Sequence, residues 1–110
     1  SPASCYVVEH DGQRIVLDMG NGSFGALQRL VDTSEPESVA GIVLSHCHID
    51  HCADVGSLYV QRKYHPTRRF DRLPVVGPTV AAARLAEIYG MGLDELAEVL
   101  DVRPFSGDPV

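Results

Sequence analysis

One hundred and ten residues, 45% of them apolar, make one folding unit and leave too little chain for two independent cores. A net charge of −6 argues against indiscriminate nucleic-acid binding, and apolar runs such as Gly41 to Leu44 or Val80 to Ile88 are far too short to cross a bilayer. The three cysteines are odd in number and two of them flank candidate metal ligands, which makes a disulfide framework a poor reading; with no charged region preceding an apolar one at the start, a soluble, cytoplasmic protein is expected.

Cys5 to Glu9 and Arg14 to Asp18 are rich in β-branched residues and flank His10-Asp11-Gly12-Gln13, whose Asp-Gly step suits a tight hairpin turn. Asp18 to Ser23 breaks the second strand with two glycines, and Phe24, Leu27, Leu30 and Val31 then recur at helical spacing. After a turn at Glu35-Pro36-Glu37-Ser38, Ala40 to Leu44 is a continuous apolar run, the pattern of a strand covered on both faces. Val55, Leu58 and Tyr59 mark a helix from about Asp54 toward Tyr64, ended by Pro66. Leu73 to Val76 reads as a strand. Thr79 is placed to cap a helix with Ala81, Leu85, Ile88 and Tyr89 inside and Gly90 as its stop. Leu93, Leu96, Ala97 and Leu100 predict a second short helix, Asp101 to Phe105 one more strand, and Ser106 to Pro109 a turn. The order is that of an α/β protein with helices on at least one face of its sheet.

The chemistry concentrates where the apolar strand ends. His46, His48, Asp50 and His51 fall within six residues and include three of the five histidines. Imidazole and carboxylate are the ligands that suit zinc, iron or manganese, and close spacing makes them converge. In an extended loop His46 and His48 point the same way while Cys47 points away. If the chain then turns helical, Asp50 and His51 swing to another side and can hold a second ion. A water between two such ions ionises near neutral pH. A surface loop that merely happens to be rich in histidine is the competing reading, and the apolar strand running straight into the cluster disfavours it.

Ser45-His46-Cys47-His48-Ile49-Asp50-His51 after a buried strand resembles the His-x-His-x-Asp-His signature of the metallo-β-lactamase superfamily. Cys5 to Glu9 followed by Ile15 to Gly22 resembles that superfamily's opening hairpin and glycine loop. The resemblance covers nearly the whole chain. It implies an α/β fold, the N-terminal part of a four-layer αββα sandwich with a mixed sheet and flanking helices, and a hydrolase acting through metal-bound hydroxide. It further implies two divalent metal ions, zinc first and manganese or iron as alternatives. His46 and His48 would bind the first ion, Asp50 and His51 the second, and Asp50 would also orient the hydroxide and handle protons. Asp18 would accept a hydrogen bond from the far ring nitrogen of a histidine and fix its tautomer; an ordinary strand end is the alternative.

Residues 1–110 depart from the family pattern in lacking its later ligands. His65 follows His51 too closely, and Asp101 and Asp108 lack the setting of a bridging aspartate. The chain is therefore expected to be the N-terminal part of such a domain, inactive alone, with an apolar sheet face covered by self-association or by the missing C-terminal half. Within the superfamily the segments around Cys5, Asp18, Ser45 and Arg62-Lys63-Tyr64-His65-Pro66 look most like the phosphodiesterase branch related to ribonuclease Z, in particular actinobacterial cyclic-nucleotide phosphodiesterase-like members. A small-molecule phosphodiester, first a cyclic nucleotide, is the expected substrate and no membrane partner is expected. A ribonuclease Z-type endoribonuclease ranks second, because the Gly-Leu-Pro-Gly run of tRNA-processing members is missing, and a catalytically silent half-domain third.

Three further features carry expectations. Cys47 and Cys52 read as small packed residues rather than thiolate ligands, and His10 as a solvated turn residue. Five of the nine basic residues, Arg62, Lys63, Arg68, Arg69 and Arg72, lie within eleven positions and read as a solvated helix end or, alternatively, as phosphate contacts near the metal loop.

Overall fold

The structure, a computed structural model, describes residues 5–35, 38–46, 49–67 and 69–105, and of Ile49 and Asp50 the backbone alone. The hairpin forms as strands β1 (Tyr6–His10) and β2 (Gln13–Leu17), paired from Tyr6↔Leu17 to His10↔Gln13. Asp11 at φ 51° and Gly12 at φ 78° both take the left-handed conformation that a two-residue turn of matching twist requires.

Helix α1 (Ser23–Leu30) leads to β3 (Gly41–Val43), then the single turn α2 (Ile49–Cys52) and α3 (Val55–Lys63) lead to β4 (Leu73–Gly77). Helices α4 (Ala81–Tyr89) and α5 (Leu93–Ala97) lead to β5 (Leu100–Pro104). The sheet runs in the order β1-β2-β3-β4-β5, with β1 antiparallel to β2 and every later pair parallel. Each crossover steps the same way across the sheet, so connections of the usual right hand place all the helices on one face.

Burial along the strands agrees. Val16, Ile42, Leu73, Val75 and Leu100 are almost fully buried and share one core with Leu27, Leu58, Leu85 and Leu96 of the helices. Their strand neighbours point the other way. Tyr6, Leu17, Val43 and Val76 fall in one cross-strand row, and Val8 and Ile15 in another. Leu17, Ile15, Val43 and Val76 are only half-buried, and Tyr6 and Val8 are 66% and 46% exposed. That second face is thus apolar and, among the described residues, carries no covering layer. At its β5 edge it turns polar, where Asp101 pairs with Arg103 and Arg72.

The hairpin strands are shifted by one residue, with His10 and Gln13 paired rather than in the turn, and two further boundaries differ from expectation. Thr79 does not cap α4: Val80 holds the N-cap position without a side-chain bond, and the Ala81 N–H is satisfied by the Pro78 carbonyl. Leu100 belongs to β5 rather than to the short helix, its burial being explained equally well by either period. Gly90 does stop α4, at φ 66°, with the Met91 N–H reaching back to the Ala86 carbonyl. The turns expected at 35–38 and 106–109 lie in part or wholly outside the described residues.

Candidate metal centre

β2 ends at Leu17, and its next residue organises the loop beyond the sheet. Asp18 takes a left-handed φ of 61° while its N–H still bonds the Val43 carbonyl at 2.8 Å, so the backbone turns without leaving the β3 edge. A non-glycine residue pays for that conformation through what its side chain gains. Oδ1 accepts the Ser45 N–H at 2.8 Å, and Oδ2 accepts both the Ser45 hydroxyl at 2.8 Å and Nδ1 of His51 at 3.1 Å. A carboxylate only accepts, so the His51 proton sits on Nδ1 and the lone pair is left on Nε2.

The main chain repeats the connection. The Met19 N–H donates to the His51 carbonyl at 2.6 Å, and the Asp54 N–H to the Met19 carbonyl at 2.9 Å. The Tyr89 hydroxyl, from α4, donates to the Cys52 carbonyl at 2.7 Å. These bonds hold α2, a helix too short to persist by itself, against the end of the sheet.

Of the four predicted metal ligands, the structure brings His46 and His51 together, with ring centroids 4.1 Å apart and planes inclined by 49°. His46 is exposed, whereas the His51 side chain is 17% exposed. Asp50 lies in α2 beside His51 in the chain; its side chain, like all of His48 and Cys47, is outside the described residues. Among the described residues no three His, Cys, Asp or Glu side chains form a metal-sized group. The donor chemistry that is visible fits a divalent cation: a histidine whose proton is held on one nitrogen by a carboxylate presents the other as a ligand.

Sequence reasoning missed Ser45 and Asp54. Asp54 Oδ2 accepts the Phe24 N–H at 2.7 Å and so caps α1, whose own N-cap residue, Gly22, has no side chain to do so. No local signal marks that role, because helix and cap are 30 residues apart. Cys52 is fully buried in the core, as expected of a packed residue. Cys5 lies under the same loop, and its thiol is pushed up by burial, against a hydrogen bond with Ser23, with the Asp18 and Asp54 charges adding to the rise. It stays a neutral thiol. His10, on the hairpin, is 86% exposed as a side chain and pairs with Asp11.

The basic stretch is elsewhere. β3 and β4 are parallel, so the metal loop leaves the C-terminal edge of the sheet while the segment before Leu73 enters at the opposite edge. The nine residues of α3 separate the two by about 13 Å. Arg62, Lys63 and Arg69 therefore do not line the site of His46 and His51, which removes the phosphate-contacting role considered for them there.

The family model described as the metallo-beta-lactamase superfamily matches residues 1–74. An uncharacterized protein of Mycobacterium leprae (strain TN) is 43% identical over all of this chain, and one of Mycobacterium tuberculosis (strain ATCC 25618 / H37Rv) is 38% identical. The chain spans 39% and 41% of those relatives. Among solved structures, the metallo-beta-lactamase fold protein YhfI of Bacillus subtilis superposes with a TM-score of 0.73 at 20% identity, over 94% of this chain and 39% of that one. A diphosphatase of the PhnP family gives 0.68 at 15% identity, over 94% and 37%, and the human short-form tRNase Z 0.62 at 19%, over 93% and 36%. At these identities the likeness is one of fold.

Proposed function

Because the chain belongs to the metallo-beta-lactamase superfamily, whose members usually bind divalent metals and are generally hydrolytic, we propose that it carries the first part of a metal-dependent phosphodiesterase. His46, His48, Asp50 and His51 are the metal ligands in this reading, zinc the first metal to test, and a cyclic nucleotide the first substrate. The observation that carries it is the bond from His51 Nδ1 to Asp18 at 3.1 Å. A carboxylate on Nδ1 holds the ring in the tautomer whose Nε2 carries the lone pair, the arrangement in which a histidine binds a cation.

Divalent cations bound there would polarise a phosphoryl oxygen and make water nucleophilic at neutral pH. The chain's own part is to position. Asp18 sets the tautomer and tilt of His51, Ser45 locks Asp18, and the Met19 and Tyr89 bonds fix α2. The phosphodiester assignment draws support from fold neighbours titled a diphosphatase and a tRNase Z, both acting at phosphorus. The tRNase Z likeness also keeps a ribonuclease Z-type endoribonuclease as second reading, against which stands the net charge of −6. The bare apolar sheet face is read as the surface met by the rest of the sandwich, since the relatives are more than twice as long.

The test is metal content and turnover of the full-length protein with 3′,5′-cyclic AMP and with a 3′-extended tRNA precursor. Bound divalent metal and cyclic-nucleotide hydrolysis, both abolished by His48→Ala, are expected. Turnover retained in that variant overturns the assignment, and cleavage of the RNA alone moves it to the second reading.

A further inference from the structure

At the edge of the sheet opposite the candidate metal centre, the end of α3, the segment before β4 and the residues entering β5 enclose a cleft of about 380 Å³. Its size falls within the range of small-ligand sites. Arg62, Lys63, His65, Arg69 and Phe70 line it, together with Glu98. Three fixed positive charges thus face one negative charge in a chain that is acidic as a whole. Lys63 Nζ lies 3.4 Å from the Glu98 carboxylate, which leaves both guanidinium groups uncompensated by it.

Arg62 is the unusual member. It is only 7% exposed, and its Nε and Nη1 have no hydrogen-bond partner among the described residues. Nη2 reaches the Asp71 carbonyl at a long 3.4 Å, and the guanidinium carbon lies 4.5 Å from the centre of the Phe70 ring. Stacking on an aromatic face compensates a cation in part, but it satisfies no N–H donor. Burial correspondingly pulls the Arg62 guanidinium below its ordinary value, with Asp71 opposing. Nε and Nη1, on different edges of the guanidinium and closed off from solvent in this structure, gain partners when the side chain turns toward the cleft and meets a tetrahedral oxyanion, whose oxygens accept several N–H bonds at once. Nearby, the Thr67 N–H donates to Nδ1 of His65, which puts the ring proton on Nε2 and makes that ring a donor as well. The His65 and Phe70 rings, 5.4 Å apart, supply an aromatic wall.

We propose that this cleft is a phosphate-binding site, separate from the metal centre, in which Arg62 and Arg69 hold the phosphate of a small molecule. Inorganic phosphate and a mononucleotide share that chemistry, and the Phe70 wall gives the mononucleotide a surface on which its base can stack. The proposal does not depend on the hydrolase reading, because none of its residues is a metal ligand.

The experiment is calorimetric titration of the chelator-treated full-length protein with inorganic phosphate and, separately, with 5′-AMP. Saturable binding of at least one is expected, weakened roughly tenfold or more by Arg69→Glu and by Arg62→Lys, the second of which keeps the charge but loses the fork. Arg69 is exposed, so its variant tests the site even if Arg62→Lys misfolds. His51→Ala, which removes a candidate metal ligand, should leave the titration unchanged. Tighter binding of AMP assigns the wall to a base, and equal binding assigns the site to phosphate itself. The proposal is overturned if neither ligand saturates at millimolar concentration, or if binding is lost in His51→Ala and kept in Arg69→Glu.

Discussion

Asp18 and His51 are 33 residues apart in the chain and joined by a 3.1 Å hydrogen bond at the end of the sheet. Asp18 is the hub of that corner, since the same carboxylate also takes both donors of Ser45. Asn at position 18 tolerates the left-handed backbone and can still accept from His51, but its amide nitrogen cannot accept from Ser45. Ala keeps no acceptor and adds strain. Metal affinity measured by chelator competition should fall roughly 10- to 100-fold in Asp18→Ala and less in Asp18→Asn. Equal affinity in all three proteins would mean that the carboxylate has no part in holding the ligand.

Gly56 faces Tyr89 across the helix layer. A Cβ built there lies 2.9 Å from Tyr89 Cε1 and 3.2 Å from two more ring atoms. Gly56→Ala must push the ring away, and with it the hydroxyl that holds the Cys52 carbonyl. Denaturant unfolding should show a loss of about 1–3 kcal/mol, the usual range for overpacking, accompanied by weaker metal binding. Tyr89→Phe should reproduce the weaker metal binding with a smaller loss of stability.

Acid sensitivity is expected at the β5 edge. The hydrogen bond from Arg103, with the Arg103 and Arg72 charges behind it, holds the Asp101 carboxyl below its ordinary 3.8. The folded state thus releases this proton more readily than the unfolded one. Asp101 contributes stability above pH 3.8, and that contribution disappears as pH falls through the lower folded value. Comparing wild type with Asp101→Asn between pH 5 and 2, the stability difference should shrink toward the acid end; a constant difference contradicts the sign.

The uncovered sheet face predicts behaviour of the 110-residue chain expressed alone. With Tyr6, Val8, Leu17, Val43 and Val76 on one face, sedimentation should give a mass above 11.9 kDa, and Val8→Lys with Val76→Lys should shift it toward the monomer. No turnover is expected from that chain. A monomer that does not bind an apolar dye would show that the face is covered by other means.

The sequence by itself determined the features that depend on near neighbours. Asp11-Gly12 specifies its turn through backbone sterics, the apolar periods specify strands and helices, and His46, His48, Asp50 and His51 stand out as candidate ligands because they are close together in the chain. Asp18 was legible only through family resemblance, since spacing left an ordinary strand end equally open. Tertiary structure alone decided that Asp54 caps α1, that Ser45 locks Asp18, and that the basic cluster lies at the far edge from the metal loop. In each case the reason is distance along the chain: contacts across 27 to 37 residues depend on how parallel strands and their crossovers are laid out, and no short window of sequence carries that layout. The one-sided burial of the sheet has the same origin. Strand residues on both faces are apolar, and only the common direction and hand of the crossovers select which face the helices cover.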